Sequence, residues 1–435
     1  MLVERVAENP EVCLPKVLSE TELEGAYRFL NNERVSLNAI LAPHVEQTVQ
    51  RCRERTTVVV AHDTTEFRFE GEGRRDLGRL KTKGRGFYAH LALALGDSQG
   101  RDPLGVIGQQ VVVRGPKQPK VSATVRRLAP DKESRRWWEQ VKEVDRRLGP
   151  ETQAIHVADR EADTYECFME LLATGSRFAI RLNHDRKVDG DEGASNLQDV
   201  LTTAITIAER DVQLGVRRGG KGTKGDKAHP PRESRLARLA VSALPVTLRR
   251  PRGTPSSWPE NMTLNVIRVV EVGAPADCQP VEWKLVTSEP IDTIEQVLAV
   301  VDTYRARWVI EEFFKALKTG CAIEKRQHES LAALLNILGV FIPVAWQMLR
   351  LRTLARTSSD LPASTVLSPP QIQILAGHRR TKALMPALPT IRHALLAIAA
   401  LGGHLKRNGE PGWLTLGRGF QDLLVLEEGW LLASQ

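Results

Sequence analysis

Three carboxylates that lie far apart in the sequence occupy positions that a fold could bring together. Asp63 and Asp159 end apolar, β-branched runs that predict buried strands, and Glu311 lies in a long segment that predicts a helix. Carboxylates on adjacent strands and a helix suit phosphoryl transfer with two metal ions. Mg²⁺ prefers oxygen ligands, and two ions about 4 Å apart can activate the attacking oxygen and stabilise the leaving one. Taken singly, an aspartate at the end of a buried strand is more often a turn former or a helix cap.

The segment that carries Glu311 is dense in charge. It reads YRARWVIEEFFKALK from position 304, and a helix of 100° per residue places five polar side chains in a sector about 80° wide: Tyr304, Arg307, Glu311, Lys315 and Lys318. One interpretation is a solvated face with i,i+4 pairs such as Glu311–Lys315. The other is an active-site face whose charges are directed at metals and at an anionic substrate.

The composition indicates a folded protein of two or three domains with excess positive charge. The chain has 435 residues, of which 61 are basic and 53 acidic, so its net charge is +8. That excess suits a polyanionic partner. Five cysteines without a CxxC pair argue against disulfides or a zinc site and favour a reducing cytoplasm, and the charged N-terminus does not resemble a signal peptide.

The order of predicted elements is that of an α/β protein. Residues 20–55 are predicted to be helical, and 56–69 to form a strand, a tight break and a second strand. Two further strands, then helix, strand, helix and strand, extend to residue 182. Alternating segments between 183 and 282 predict a β-rich insertion. A strand at WKLVTSEP, one long helix and further helices follow; among them 331–349 is apolar enough to span a bilayer, although a buried helix has the same composition.

Several motifs resemble the insertion-sequence 4 family of DDE transposases, which are bacterial cut-and-paste enzymes. They are DTT at 63–65, DREAD at 159–163 and the spacing Y-x2-R-x3-E-x6-K at 304–318. The likeness extends through EGAYRFLNN, WKLVTSEP, RWVIEEFFKALKTG and ALGGHL, and so covers nearly the whole chain. The resemblance implies an α/β fold with a ribonuclease-H-like catalytic core, which is interrupted by the β-rich insertion and flanked by helical N- and C-terminal regions.

The resemblance and the predicted elements together divide the chain into four regions. We expect a helical N-terminal region that is a truncated DNA-binding domain, a catalytic core in two segments, a β-rich insertion and a helical dimerisation region, at 1–55, 56–182 with 283–375, 183–282 and 376–435. Family members carry additional helical residues before the segment that corresponds to LVERVAENPEV. We therefore expect either a start upstream of Met1 or a truncated copy.

The resemblance also implies roles for individual residues. Asp63, Asp159 and Glu311 would form the catalytic triad and bind two Mg²⁺ ions, for which Mn²⁺ can substitute. At the DNA end, Tyr304, Arg307 and Lys318 would grip the terminal phosphate. Further candidates for DNA contact are Trp283, Lys315, which lies on the same helical face, and Arg181, which could equally be a solvated surface residue. Trp283 is the expected platform for a flipped base, and Trp308 is expected in the core. Basic loops at 74–85 and 217–238 would bind phosphates, although the second could equally be a solvated flexible loop.

Two functions from different classes follow. The first is an active transposase that cleaves the ends of its own insertion sequence, forms and resolves hairpins and transfers strands to a target. It would act as a homodimer on double-stranded DNA in the bacterial cytoplasm, associated with the nucleoid and not with a membrane. The second is a catalytically silent, truncated transposase that binds DNA and dimerises, and so inhibits transposition. The intact triad favours the first, and the abrupt start favours the second.

Overall fold

The computed structural model describes residues 20–433 except 72, 75, 97–100, 118–121, 123, 124, 126–128, 130, 131, 191, 192, 217–230 and 277. Most of the predicted basic loop at 217–238 and the first 19 residues of the N-terminal region therefore lie outside the described residues. In chain order the strands are β1 (Thr57–Phe69), β2 (Gly78–Arg79), β3 (Arg85–Leu95), β4 (Pro103–Val112), β5 (Gln153–Ala158), β6 (Arg177–Arg181), β7 (Lys187–Gly190), β8 (Gly193–Asn196), β9 (Ala208–Leu214), β10 (Arg235–Arg249), β11 (Asn261–Val272) and β12 (Glu282–Thr287). The helices are α1 (Glu20–Leu30), α2 (Leu37–Arg53), α3 (Arg136–Leu148), α4 (Tyr165–Ala173), α5 (Leu197–Thr203), α6 (Ile294–Ala306), α7 (Trp308–Lys315), α8 (Leu331–Thr357), α9 (Pro369–Gly377), α10 (Ile391–Leu401) and α11 (Trp413–Ala433).

The chain forms two compact units. The first comprises Met1–Lys120, Glu143–Gln153 and Ala306–Gln435, and the second comprises Val121–Lys142 and Ala154–Arg305. Two of the predicted carboxylates, Asp63 and Glu311, belong to the first unit. Asp159 belongs to the second.

The sheet of the first unit is antiparallel and centred on β3. β1 pairs with one edge of β3 without interruption from Val59 to Phe69, and β2 and β4 pair with the other edge. Every residue of β3 after Arg85 is buried, as expected for a strand with neighbours on both sides. Gly86 is required there, because a Cβ at this position would lie 1.8 Å from the carbonyl oxygen of Phe67.

The long apolar helix α8 lies in the interior of the first unit. By length and composition it could span a membrane, but 72% of its apolar window is buried inside the protein. Two of its buried polar side chains are hydrogen-bonded within the fold. The side-chain amide of Asn336 donates to the carbonyl oxygen of Leu30 (2.9 Å), and the indole of Trp346 donates to that of Pro103 (2.7 Å). Because buried polar groups are costly unless they are paired, these bonds are typical of a core helix.

Helices α10 and α11 pack against each other through glycine. A Cβ at Gly402 would lie 2.0 Å from the carbonyl oxygen of Thr415, and one at Gly419 would lie 1.7 Å from that of Ile398. Any larger residue would therefore force the two backbones apart. The apolar stripe of α10 is buried in its own chain.

The second unit is built on a sheet with the order β5-β6-β12-β11-β10-β7-β8, in which β9 also pairs with β10. β5 and β6 are parallel, and helix α4 connects them, as a crossover between parallel strands requires. The remaining pairs are antiparallel. The core contains large aromatic side chains from α3, α4 and β6: Trp137, Trp138, Phe168 and Phe178.

The fold prediction is confirmed. The elements β1, β3, β4, α3, β5, α4 and β6 follow the predicted order of a ribonuclease-H-like core, the β-rich insertion follows β6, and helices flank both. Two local predictions were wrong. Residues 57–69 form one strand, because the pairing with β3 continues through Asp63, which lies opposite Leu91. The predicted single long helix is interrupted at Arg307 between α6 and α7 and continues as a π-helical turn, Ala316–Gly320.

Candidate active site

Asp63 lies in the middle of β1, where this strand leaves the core. Residues Val58–His62 are buried, and the next four are half-buried. The Asp63 carboxyl group is 16% exposed, and its Oδ1 accepts a hydrogen bond of 2.7 Å from the backbone N–H of Thr64. A carboxylate in this position is fixed by the strand and is still accessible from one side.

Arg307 links Asp63 to Glu311. Its Nη1 donates to Asp63 Oδ2 (2.9 Å), and its Nη2 donates to Glu311 Oε1 (3.0 Å). Only 9% of the Arg307 side chain is exposed. Hydrogen bonds between two ionised groups are about twice as strong as neutral ones, so one guanidinium holds both carboxylates at a common point.

Glu311 lies in the first turn of α7, with 35% of its side chain exposed. The partial positive charge at a helix N-terminus favours an acidic side chain there. Asp63 and Glu311 together present hard oxygen donors to a site that already accommodates a cationic group. This donor set fits Mg²⁺ or Mn²⁺ and would not select a softer metal.

Asp159 follows β5 directly in the second unit. Its Oδ1 accepts a hydrogen bond of 2.9 Å from the N–H of Glu161 and caps the short 3₁₀ helix Arg160–Ala162. The sequence-based expectation that it ends a strand is confirmed, and so is its role as a cap. Within the described part of the chain, no three His, Cys, Asp or Glu side chains form a group that could hold one metal ion.

Three of the predicted DNA-contacting residues lie in the second unit. Tyr304 is buried, and its ring meets that of Trp283 edge-on, with centroids 6.1 Å apart. Trp283 is half-buried on β12. Arg181, at the end of β6, donates to the carbonyl oxygen of Glu282 (3.2 Å). The structure therefore brings Tyr304 and Trp283 together as one aromatic pair.

The two predicted lysines differ in their surroundings. Lys315 is exposed at the end of α7 and pairs with Glu312 (2.8 Å), and not with Glu311 as an i,i+4 pair would require. Lys318 lies in the π-helical turn, and its Nζ donates to the carbonyl oxygen of Glu66 on β1 (2.6 Å). Burial lowers the pKa of Lys318. In a single regular helix the two lysines would lie on the same face. The wider π-helical turn directs Lys318 to β1, while Lys315 stays exposed.

The sequence-based placement of Trp308 in the core was wrong. Its side chain is 59% exposed, although it begins α7 beside Arg307. On a helical wheel Trp308 lies about 20° outside the polar sector, next to Lys315, and not on the apolar face. An exposed tryptophan three residues before Glu311 is a second aromatic surface near the two carboxylates of the first unit.

Asp163, the last residue of the DREAD motif, has a structural role that was not predicted from the sequence. Its side chain is fully buried in the second unit and accepts hydrogen bonds from the backbone N–H groups of Asn183 (2.6 Å) and His184 (2.8 Å). It also forms an ion pair with Arg186. Asp163 therefore fixes the loop that follows β6. The signal in the sequence was a second aspartate four residues after the first.

A basic cavity of about 820 Å³ in the second unit was also missed. Its cationic lining residues come from the loop after β6, the start of β7, the end of β10 and the β10–β11 connection: Arg186, Lys187, Arg249, Arg250 and Arg252. They outnumber the acidic lining residues Asp163, Glu166 and Asp185. Tyr165 and Trp258 stack at its wall, with centroids 6.2 Å apart. The only hint in the sequence was the cluster RRPR at 249–252, followed six residues later by a tryptophan.

Comparisons with known proteins identify the family of the chain. The family profile described as "Transposase DDE domain" matches residues 54–342, and that described as "Transposase DNA-binding" matches residues 1–35. Among solved structures, the piggyBac transposase synaptic complex with hairpin DNA aligns with a TM-score of 0.36 and 11% identity, over 98% of this chain and 74% of that one. Since the first profile spans well over half of the sequence, including all three predicted carboxylates, the chain belongs to the family of transposases with a DDE domain.

Proposed function

We propose that this protein is the transposase of its own insertion sequence, of the insertion-sequence 4 type, and that it moves that element by cutting and pasting DNA. The observation that carries the proposal is the contact of Arg307 with both Asp63 and Glu311. Asp63 and Arg307 are 244 positions apart in the chain. Arg307 gathers two carboxylates at one point, and metal-dependent phosphoryl transfer requires oxygen ligands that are gathered in this way. The match to the DDE transposase family supports the same role.

Asp63, Asp159 and Glu311 are the proposed metal ligands and catalytic residues. Two Mg²⁺ ions, or Mn²⁺ in their place, would activate the attacking oxygen and stabilise the leaving oxygen when bound. Water would be the nucleophile in end cleavage, and DNA hydroxyl groups would be the nucleophiles in hairpin formation and strand transfer. The protein itself would position these groups and form no covalent intermediate.

The cations and aromatic residues near the carboxylates are proposed to hold the DNA end. Arg307, Lys315 and Lys318 occur at the positions of the Y-R-E-K spacing or beside them, and a net charge of +8 supports binding to phosphates. The aromatic pair of Tyr304 and Trp283 offers a surface on which a flipped base could stack. Arg181, the loop at 74–85 and the basic cavity of the second unit would contact the backbone elsewhere.

Each of the four regions predicted from the sequence has a role in the proposed function. Residues 1–55 would bind the transposon end, 56–182 with 283–375 would form the catalytic core, 183–282 the insertion and 376–435 the dimer contact. Because α10 is buried in its own chain, we favour α11 as the dimer contact. Helix α11 exposes large apolar side chains, including Leu414, Val425 and Leu431. A twofold dimer on two DNA ends would use this helix.

A cleavage assay on DNA that carries the element's terminal inverted repeats tests the proposal. Asp63→Asn, Asp159→Asn and Glu311→Gln should each lower Mg²⁺- or Mn²⁺-dependent cleavage roughly 1,000-fold or more, because a metal supplies several kcal/mol and each 1.4 kcal/mol is about tenfold in rate. Binding of the same DNA should change little, since affinity depends mainly on Lys and Arg. Glu312→Gln is the matched control, because Glu312 is the next residue of the same helix and pairs with Lys315.

The result also separates the two functions. Near-normal cleavage by any of the three variants would contradict the assignment of that residue. Tight binding of end DNA by the unaltered protein, without cleavage in either metal, would support the alternative of a silent inhibitor. Light scattering with and without end DNA tests the dimer, and a bound complex with a single protein chain would contradict it.

A further inference from the structure

The position of Arg307 conflicts with the binding of a metal ion by the same carboxylates. Its guanidinium lies 2.9 Å from Asp63 Oδ2 and 3.0 Å from Glu311 Oε1, and its side chain is nearly buried. A divalent cation coordinated by these oxygens would need to approach within about 2.0–2.6 Å of them. The two positive groups would then share one small, poorly solvated space, in which like charges repel strongly.

We infer that Arg307 is a displaceable counter-cation, so that metal binding to Asp63 and Glu311 and release of Arg307 are a single coupled event. The inference rests on the proposed function, in which these two carboxylates hold the metal. Two carboxylates facing each other need a compensating charge, and Arg307 supplies one unit of it. A divalent cation supplies two, so the exchange neutralises the pair and frees a guanidinium.

The surroundings of Arg307 offer the released side chain an alternative position. Arg307 forms the turn between α6 and α7, and its Cζ lies 5.9 Å from the ring of Trp308. Trp308 is 59% exposed, so its ring can hold a guanidinium at the protein surface. There Arg307 would meet a phosphate of a bound DNA strand. Because the Arg307 Cζ is only 5.9 Å from the Trp308 ring, a change of side-chain rotamer is sufficient to move the guanidinium from the carboxylates to this ring.

A thermodynamic consequence follows from this exchange. If metal binding frees Arg307 for a phosphate, then a phosphate that captures Arg307 must raise the metal affinity by the same factor. DNA and metal would therefore bind cooperatively. An enzyme with this property has its carboxylates fully occupied by metal only when the substrate is present, which restricts cleavage to the assembled complex.

The test is the affinity of the full chain for Mn²⁺ without DNA, measured by isothermal titration calorimetry. Arg307→Gln removes the competing charge and should bind Mn²⁺ about tenfold more tightly or better, within the usual range of coupling between sites. Arg305→Gln is the matched control, because Arg305 lies on the same segment and pairs with Asp302 instead. Glu311→Gln should abolish Mn²⁺ binding, both in the otherwise unaltered chain and in combination with Arg307→Gln.

Tryptophan fluorescence gives a second measurement on the unaltered protein. Saturation with Mg²⁺ should change the emission of Trp308, identified by subtraction of a Trp308→Phe variant, because the neighbouring guanidinium moves. The change should be absent in Arg307→Gln. If that variant does not fold, Arg307→Lys keeps a charge but cannot bond both carboxylates with a planar fork. It should then show an intermediate rise in Mn²⁺ affinity.

The outcomes that contradict the inference are distinct from those that contradict the proposed function. Equal or weaker Mn²⁺ binding by Arg307→Gln, while Glu311→Gln still abolishes it, would overturn the exchange and leave the metal site intact. An unchanged Trp308 emission at saturating Mg²⁺ would do the same. Normal Mn²⁺ binding by both Glu311→Gln and Asp63→Asn would overturn the metal assignment, and the inference with it.

Discussion

Two aspartates of the DREAD motif, only four residues apart, should respond to substitution in opposite ways. The Asp163 side chain is fully buried and accepts two backbone hydrogen bonds of 2.6 and 2.8 Å, in addition to its ion pair with Arg186. Asp163→Ala would leave Arg186 without that counter-charge and two N–H groups without an acceptor. Removal of one partner of a buried pair typically costs about 3–5 kcal/mol. We therefore expect Asp163→Ala to destabilise the second unit by that amount.

Asp159→Ala should change the stability of the fold little and abolish the cleavage of DNA. Its half-buried carboxyl group caps one short helix through a 2.9 Å bond to the N–H of Glu161. Loss of a cap costs about 1 kcal/mol, so the fold should tolerate the change, whereas cleavage of DNA should disappear if Asp159 is a metal ligand.

Urea unfolding followed by circular dichroism distinguishes the two variants. At typical slopes for urea, Asp163→Ala should lower the midpoint of the affected transition by roughly 1–2 M, and Asp159→Ala by less than about 0.5 M. Asp163→Asn, which keeps the size and one acceptor oxygen, should be intermediate. An Asp163→Ala protein that unfolds at the same urea concentration as the unaltered protein would refute the argument that this residue anchors the loop after β6.

Three further outcomes are expected. Trp308→Ala should change the free energy of unfolding by less than about 0.5 kcal/mol, because the side chain is mostly exposed. Loss of folded protein in a thermal melt would instead show that Trp308 belongs to the core. Lys318→Ala should cost about 1–3 kcal/mol, since it removes a half-buried donor to the Glu66 carbonyl, whereas exposed Lys315→Ala should cost less than about 0.5 kcal/mol, and equal denaturation midpoints would contradict this contrast. Burial, assisted by Arg51, lowers the pKa of His44 to about 3, and its Nε2 accepts a hydrogen bond from the Val106 N–H. The unfolded chain takes up this proton near pH 6.5 and the folded chain does not, so stability should be complete above pH 6.5 and fall by roughly 2–3 kcal/mol by pH 4.5. His44→Gln should flatten that pH dependence in urea titrations, and an unchanged slope would show that other groups cause it.

Features set by local sequence were predicted correctly from the amino-acid pattern. β-Branched runs gave β1 and β5, and amphipathic spacing gave α3 and α4, because the side chains of each element determine which face it can bury. The β-rich insertion was also predictable, since its alternating strands are continuous in the sequence. These predictions need no knowledge of distant partners.

Features set by distant partners were not predictable from local periodicity. The expected break after Asp63 does not occur, because β3 pairs with β1 on both sides of it. The helical wheel for 304–318 assumed one uninterrupted helix. The π-turn at Ala316–Gly320 changes the phase after Lys315, and Lys318 is directed to β1. Trp308 lies beside the polar sector of the wheel and is exposed. Likewise, only the folded chain brings Asp163 to the loop after β6.

The segment that begins YRARW shows why a spacing alone could not separate its two interpretations. Arg307 and Glu311 do form an i,i+4 pair, as the solvated-face interpretation requires. Arginine before glutamate is the weaker orientation for such a pair. In this protein the same guanidinium is nearly buried and also binds Asp63, which the helix cannot supply. The third residue, Asp63, is not expected in a solvated surface pair, because it comes from the middle of a strand. Its contact with Arg307 therefore supports the metal site that we propose.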